Sequence, residues 1–342
     1  MAALCCRGCH QAHLMYMRYS FVVCTYNGAR TIETCLRSIY GQIRHGYTME
    51  IVLAPNGITD DTIKIAESLR AEFEACDFDI LNIKEIGKSR ALEIAFDRCL
   101  GEYVVVIDDD NYLEDDWLLH VEKSIADDKF GGILGTASCL PGGLAGFIDP
   151  RLELHLRSYA VGFQRSDPLA PVQIAWGAGT VFKREIWNKL RSRQFSFIFS
   201  GRIGGNLIAG EDGEFCCAAA FLGYTINYTD SALLVHDISP KRLTHEYARR
   251  LARSEGIIMA VFYYYIECYR RETVVSVVSF LCGYMFKSIF RLIVALLRGF
   301  ARRGECDWIE LSRNWARLWA WSLLLTKRNQ LIRQINQLLM KR

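Results

Sequence analysis

The sequence predicts an α/β protein: a mostly parallel sheet flanked by helices, followed by a helical, amphipathic C-terminal region. Three observations carry that expectation. Short β-branched, apolar runs alternate with helix-period segments over the first third of the chain. The polar residues of that third gather where the strands end, the edge at which open parallel sheets bind ligands. Beyond Leu243 the strand signal stops and helical periodicity takes over.

Phe21-Val22-Val23-Cys24 reads as a buried strand, followed by a helix carrying Ile32, Leu36, Ile39 and Tyr40. Met49 to Ala54 is the second strand and Thr62 to Phe73 the second helix, with Ile65, Ala66, Leu69 and Phe73 on one face. Ile80 to Ile83 is a shorter strand, and Ser89 to Leu100 is helical through Ala91, Leu92, Ala95 and Phe96. Tyr103 to Ile107 is the clearest strand, since a run such as Val104-Val105-Val106 suits burial on both faces. It ends in Asp108-Asp109-Asp110-Asn111, and the earlier strands end in Thr25-Tyr26-Asn27-Gly28 and Pro55-Asn56-Gly57. After Asp115 the pattern loosens. Gly131 to Gly146 reads as loop and short strand, and Ile174 to Phe182 as a strand interrupted by close backbone approach at its glycines. A Gly-rich loop from Gly201 to Gly210 feeds Glu211-Asp212 and a helix over Phe215 to Leu222. Ile226 to Tyr228 and Ala232 to Val235 read as two short strands, the second ending at His236-Asp237.

Of the 342 residues 51% are apolar and 23% charged, enough for a large core and incompatible with disorder or low complexity. The 13 cysteines are scattered and no secretory leader precedes them, so reduced thiols and a protein that is not secreted are expected. Cys6-Arg7-Gly8-Cys9-His10 has the form of a haem-attachment site or, with Cys5 and His13, of a metal clip; a frayed terminus is the plainer reading. Residues 1–19 are therefore taken as an extension, 20–250 as the main domain and 251–342 as a helical region.

The net charge of +3 hides an asymmetry: residues 1–240 carry 22 Lys and Arg against 31 Asp and Glu, and 241–342 carry 19 against 7. A basic tail meets something anionic. In that tail Lys287, Arg291, Arg298 and Arg302 fall within about 60° of a helix circumference, among Ile289, Phe290, Leu292 and Ile293. Trp308, Trp315, Trp319 and Trp321 follow, among Arg313, Arg317, Lys327 and Arg328. Basic stripe, apolar face and tryptophans together suit helices lying in a membrane interface, and they argue for lipid over nucleic acid. Packing on the main domain and a short spanning hairpin are the alternatives. The longest charge-free run, Thr273 to Phe286, is fourteen residues, against the ~20 of a spanning helix.

Two clusters carry chemistry. Adjacent aspartates raise each other's pKa, a cost that a hard divalent cation such as Mg2+ or Mn2+ removes, together with substrate phosphates. A helix-capping turn is the alternative, although a cap needs one aspartate and not Asp108, Asp109 and Asp110 together. Glu211 and Asp212 open a helix, where acidic residues serve either as dipole partners or as a general base for an attacking hydroxyl. The residues alone leave both open. A dinucleotide-dependent oxidoreductase is excluded, because no Gly-x-Gly-x-x-Gly follows the first strand.

Four segments occur together in order: Phe21-Val-Val-Cys-Thr-Tyr-Asn-Gly-Ala, Asn56-Gly-Ile-Thr-Asp-Asp-Thr, Val105-Val-Ile-Asp-Asp-Asp-Asn and Gly210-Glu-Asp-Gly-Glu-Phe. In order and spacing, over about residues 20–250, they resemble the family 2 inverting glycosyltransferases. Trp176-Gly-Ala-Gly-Thr and the stretch from Val235 to Tyr247 look like a bacterial subgroup that builds surface polysaccharides. The resemblance implies a GT-A type, Rossmann-like fold and a nucleotide-diphosphate sugar donor, UDP-sugars being the first expectation. It implies a saccharide or lipid-linked acceptor, Mn2+ or Mg2+ as cofactor, and work at the cytoplasmic face of a membrane. Thr25, Tyr26, Asn27, Asn56, Asp60, Arg90, Asp108 and Asp109 would line the nucleotide site. Asp110, Asp108 and His236 would hold the metal, with Asp212 the catalytic base and Glu211 supporting it. One departure stands out: Pro55 occupies the place of the aspartate that usually contacts the nucleobase, and Ile58 replaces a serine. A catalytically inactive, nucleotide- or glycan-binding relative acting as an assembly partner is the competing expectation.

Overall fold

The computed structural model describes residues 18–139, 172–175, 177–201, 207–301 and 308–340. The N-terminal cysteines with His10 and His13, residues 140–146 of the Gly131–Gly146 stretch, Trp176, residues 202–206 of the Gly-rich loop and Arg302 lie outside them. The chain divides into two compact units. Among the described residues the first holds 18–139, 177–188 and 227–237; the second holds the rest.

The first unit carries an eight-stranded sheet in the order β3-β2-β1-β4-β7-β6-β8-β5. Its strands are β1 (Tyr19–Thr25), β2 (Met49–Pro55), β3 (Asp77–Ile80), β4 (Tyr103–Asp108), β5 (Asn111–Leu113), β6 (Gly132–Cys139), β7 (Thr180–Lys183) and β8 (Thr225–His236). β1 runs parallel to β2 and β4, and β2 parallel to β3. β7 lies antiparallel to β4 and β6, and β5 antiparallel to β8. The parallel part follows from its connections: α1 (Ile32–Tyr40), α2 (Thr62–Glu72) and α3 (Lys88–Arg98) each return the chain to the starting edge. Their apolar residues recur at helical spacing, as in Ile32, Leu36 and Ile39, and those residues are fully buried. β1 and β2 are buried along their whole length, as strands covered on both faces should be.

The core of this unit joins Phe21, Ile51, Val105 and Ile107 to Leu36, Ile39 and Trp117 of α4 (Trp117–Ile125). The one charged side chain within β2, Glu50, is buried but satisfied: it accepts from the Leu100 N–H at 2.6 Å and from the Ser20 hydroxyl. The shorter third strand lies three residues earlier than expected, because Asp77 and Asp79 interrupt the apolar run without breaking the extended backbone. In the segment expected as a strand from Ile174, Gly177–Gly179 form a bend and turn, with Gly179 at a φ of 75° that suits glycine, and Thr180–Lys183 pairs in the sheet. The two short strands expected after 225 are one strand of twelve residues, carried through Thr229-Asp230-Ser231 at its exposed stretch.

The second unit is helical: α6 (Glu211–Phe221), α7 (His245–Arg271), α8 (Val277–Ala301), α9 (Trp308–Arg317), α10 (Ala320–Thr326) and α11 (Arg328–Leu339), with α5 (Arg184–Ser192) joining β7 to it in sequence. α7 runs unbroken through residue 250, its first turn capped by the Thr244 hydroxyl, which accepts from Tyr247 N–H at 3.2 Å. Gly256 lets α9 cross α7 closely, since a Cβ there would meet the Arg313 carbonyl oxygen at 2.3 Å.

Candidate functional site

The register of the parallel strands brings the first unit's polar clusters to one edge. Thr25 lies opposite Pro55, and Cys24 opposite Asp108, so the segments after β1, β2 and β4 leave the sheet side by side. The loops are tied to one another. Asn27, in the left-handed region at φ 53°, donates from Nδ2 to Thr59 Oγ1 at 2.9 Å and accepts from Thr59 N–H at 2.7 Å. Asp60 accepts from the N–H groups of Ala29 and Thr62, both at 3.1 Å. Burial raises the Asp60 carboxyl, but those bonds and the Thr62 hydroxyl outweigh it and hold it below the usual range. Asn56 is buried and its Oδ1 accepts from Gly87 N–H at 2.6 Å, which anchors the turn into α3. Tyr26 is 63% exposed, a free aromatic face at this edge.

The three aspartates have three different environments. Asp108 Oδ1 pairs with Lys88 Nζ at 2.7 Å. Asp109 turns back on β1 and accepts from the Thr25 hydroxyl at 2.5 Å. A Cβ on Gly28 would lie 2.3 Å from its Oδ2, so the glycine makes this contact possible. Burial, and then the neighbouring charges of Asp110 and Asp108, push the Asp109 carboxyl up to about 6 against the Thr25 bond. Asp110 faces His236, with Oδ1 and Nε2 3.5 Å apart. This juxtaposition is set by the sheet, since β5 and β8 place Asn111 opposite His236 and Asp237 N–H donates to the Asp110 carbonyl at 2.7 Å. Arg30 closes the corner by donating to Asp237 Oδ2 at 2.6 Å. Arg90 pairs with Glu93 of its own helix at 3.0 Å.

A carboxylate and an imidazole at this separation suit Mn2+ better than Mg2+, which prefers oxygen donors throughout, and the buried Asn111 Oδ1 beside them has no hydrogen-bond partner. Among the described residues no group of three or more His, Cys, Asp or Glu side chains sits close enough to hold an ion alone. The pair therefore fits a cation that takes its remaining ligands from substrate phosphates and water. Of the expected ligands, Asp110 and His236 meet, whereas Asp108 is held by Lys88.

Glu211 and Asp212 form the first turn of α6, in the second unit. Glu211 is buried and its Oε2 accepts from Gly210 N–H at 2.9 Å, which locks the turn. Asp212, half-buried, accepts from Gly213 N–H at 2.7 Å. A Cβ on Gly213 would strike the Phe262 ring at 2.3 Å, so the first turn of α6 lies flat on α7. Below it Glu214 is fully buried, accepting from Ile198 N–H at 2.9 Å and the Tyr265 hydroxyl at 3.0 Å, with Gln334 Nε2 at 3.4 Å. Burial pushes this carboxyl up to about 8 against those donors.

A folded-state carboxyl above its unfolded value gives stability that is complete below the unfolded pKa and is lost as pH rises through the folded one. The melting temperature is accordingly expected to fall between about pH 5 and pH 8. Glu214→Gln should flatten that slope in a pH series of thermal melts; an unchanged slope in the variant would rule Glu214 out as its source.

Sequence reasoning missed Lys88, Arg30, Asn111 and Glu214. Lys88 was within reach of it, being the first helical residue after a glycine at φ 141° and at the ligand edge of the sheet. The others depend on antiparallel pairing or on contacts distant in sequence.

The glycosyl transferase family 2 pattern matches residues 20–191. Among curated proteins the chain is 22% identical over 254 residues to EpsH of Bacillus subtilis (strain 168), provisionally named a glycosyltransferase; the match covers 69% of this chain and 65% of that protein. Among solved structures, a Pyrobaculum calidifontis mannosyltransferase, PcManGT, in complex with GDP-Man and Mn2+ superposes with a TM-score of 0.53 at 20% identity, over 92% of this chain and 88% of that one. S. aureus TarS gives 0.51 at 17%, over 87% of this chain but only 55% of its own length. These likenesses establish the GT-A fold, and the ends of β1, β2 and β4 with Asp108, Asp109 and Asp110 lie within the residues the family pattern matches, His236 outside them. With half of its length matched by the family pattern, the chain belongs to glycosyl transferase family 2.

Proposed function

We propose that the chain transfers a sugar, with inversion, from a nucleoside-diphosphate donor to a hydroxyl of a saccharide or lipid-linked acceptor in polysaccharide or glycoconjugate assembly. UDP-sugars are the first donors to try. The observation that carries the reading is the meeting of Asp110 with His236, next to Asp108 with Lys88, at the carboxyl edge of the sheet. That edge offers acidic ligands for a cation and an ammonium for a diphosphate. Tyr26 supplies an apolar face for the base, and Asn27, Asp60 and Asn56 hold the loops that frame it.

Mn2+ or Mg2+, held by Asp110 and His236, would neutralise charge on the leaving diphosphate. The fold relative solved with GDP-Man and Mn2+ is in keeping with this. Asp212 accepts the proton of the acceptor hydroxyl as its oxygen bonds to the anomeric carbon; the bond to the diphosphate oxygen breaks and the diphosphate leaves with the electron pair. Glu211 keeps the Asp212 turn in place. No protein nucleophile is needed. The C-terminal helices hold the enzyme at the cytoplasmic face of a membrane, where a lipid-linked acceptor would reside.

One departure favours a second reading: Pro55 offers no carboxylate to a nucleobase, as in a binding relative without turnover. Release of nucleoside diphosphate from a panel of nucleotide sugars, with lipid extract as acceptor source, separates the two. The transferase reading expects release with Mn2+ or Mg2+ and none with EDTA. Nucleotide binding without release under any condition would favour the binder.

A further inference from the structure

α8 is apolar on two opposite faces. Val277, Leu281, Tyr284 and Ala295 are buried on one side. Phe286, Ile289, Phe290, Ile293 and Leu297 form a stripe about 100° wide on the other. That stripe is exposed, Phe286 by 76%, Phe290 by 62% and Leu297 by 61%. The helix has no acidic residue, and Lys287, Arg291 and Arg298 share one flank between the two faces. By length and composition its Val277–Arg298 segment could cross a membrane. Lys287 and Arg291 within that segment argue against a span, because a cationic side chain at bilayer depth is costly.

On that flank the second unit gathers guanidinium groups without matching acids. Arg291 lies with Cζ 5.9 Å from the centroid of the Tyr263 ring, and Tyr263 packs on Tyr284 at 6.0 Å between centroids. From α9, Arg313 pairs with Glu255 at 2.8 Å, while Arg317 donates to Asn314 Oδ1 at 2.7 Å. The Arg317 Nε is buried with no hydrogen-bond partner. Among the described residues no carboxylate pairs with Arg291 or Arg317, leaving three guanidinium groups and one acid. Burial and the nearby charges of Arg291 and Arg313 draw the Arg317 pKa down, as expected of a cation whose counter-ion is missing. Gly256 sets the arrangement, since the α9 backbone at Arg313 and Arg317 rests on it and the Tyr284 hydroxyl donates to its carbonyl at 3.4 Å. Trp308 and Trp315, each more than half exposed, stand on the same short helix, the residue type that prefers the headgroup level.

The geometry points to Arg291, Arg317 and Arg313 as a binding site for the phosphate of an anionic phospholipid, engaged when the Phe286–Phe290–Leu297 face of α8 sinks into the leaflet. The inference rests on the membrane reading above and adds to it a lipid class and a site. Nonpolar insertion alone would not discriminate among lipids; arginines at the rim of the inserted face would.

The test is flotation of the full chain with vesicles of phosphatidylcholine alone or of phosphatidylcholine containing phosphatidylglycerol. Wild type should favour the anionic vesicles, and salt should reduce the preference. Arg291→Gln and Arg317→Gln should each weaken binding to anionic vesicles roughly fivefold and leave binding to phosphatidylcholine unchanged. Arg317→Lys should retain most of the binding. Phe286→Ser with Phe290→Ser should lower binding to both kinds of vesicle. Soluble glycerol phosphate should not displace the protein, which separates a lipid headgroup from a free phosphate. Arg291 is exposed, so its variant keeps the test valid if Arg317→Gln unfolds. Equal affinity of Arg291→Gln and wild type for anionic vesicles overturns the headgroup site while leaving membrane attachment standing. Failure to float with either vesicle overturns both, and donor turnover in detergent would still report on the transferase.

Discussion

Asp212→Asn is expected to lower sugar transfer by about 10²- to 10⁴-fold, the usual contribution of a positioned general base, with donor affinity nearly unchanged. The substitution keeps shape and removes the proton acceptor. The Gly213 N–H that Asp212 accepts can be served by the amide oxygen of asparagine, so the first turn of α6 should survive. The buried Glu211 and Glu214 hold that turn from beneath and are untouched. Single-turnover transfer and equilibrium donor binding, measured on the same preparation, separate the two effects. A variant that transfers at more than a tenth of the wild-type rate would remove Asp212 from the mechanism.

Asp110→Ala should act on the other half of the reaction. It removes one of the two side chains proposed to hold the cation. Donor affinity in the presence of Mn2+ is expected to fall by roughly 100-fold, while the weaker metal-free affinity stays where it was. The Asp110 carbonyl, which accepts from Asp237 N–H, is independent of the side chain, so β5 and β8 should remain paired. Titrations with and without EDTA distinguish a lost metal ligand from a lost strand contact. An undiminished metal effect in the variant would move the cation elsewhere.

The parallel half of the sheet was legible from the chain because its strands are continuous apolar runs and its connections have helical period; Val104-Val105-Val106 admits no other reading. The polar residues at the strand ends were legible for the same reason, since strand direction alone sends Thr25, Pro55 and Asp108 to one edge. What each aspartate does there was not. Asp108, Asp109 and Asp110 look equivalent in sequence, yet one meets Lys88, one meets Thr25 and one meets His236. Those partners lie 20, 84 and 126 residues away. The last pairing depends on a strand that local patterning split in two, because Thr229-Asp230-Ser231 masks its continuity. The helices of the C-terminal region were visible as amphipathic stretches. Their two-faced character was hidden, because an apolar residue that packs and one left exposed read alike until the neighbours are known.

The central claim is that the carboxyl edge of the first unit's sheet takes a nucleoside diphosphate together with a divalent cation. The most direct measurement is a thermal-shift series of the full chain with UDP, GDP, ADP and CDP, each with Mn2+ and with EDTA. Saturating ligand that binds only the folded state raises stability by about 2.7 kcal/mol at a hundred times its dissociation constant, worth several degrees in a chain of this size. One nucleotide should produce that rise with Mn2+ and little of it with EDTA. A melting temperature indifferent to every nucleotide, or moved equally with and without the metal, would contradict the account.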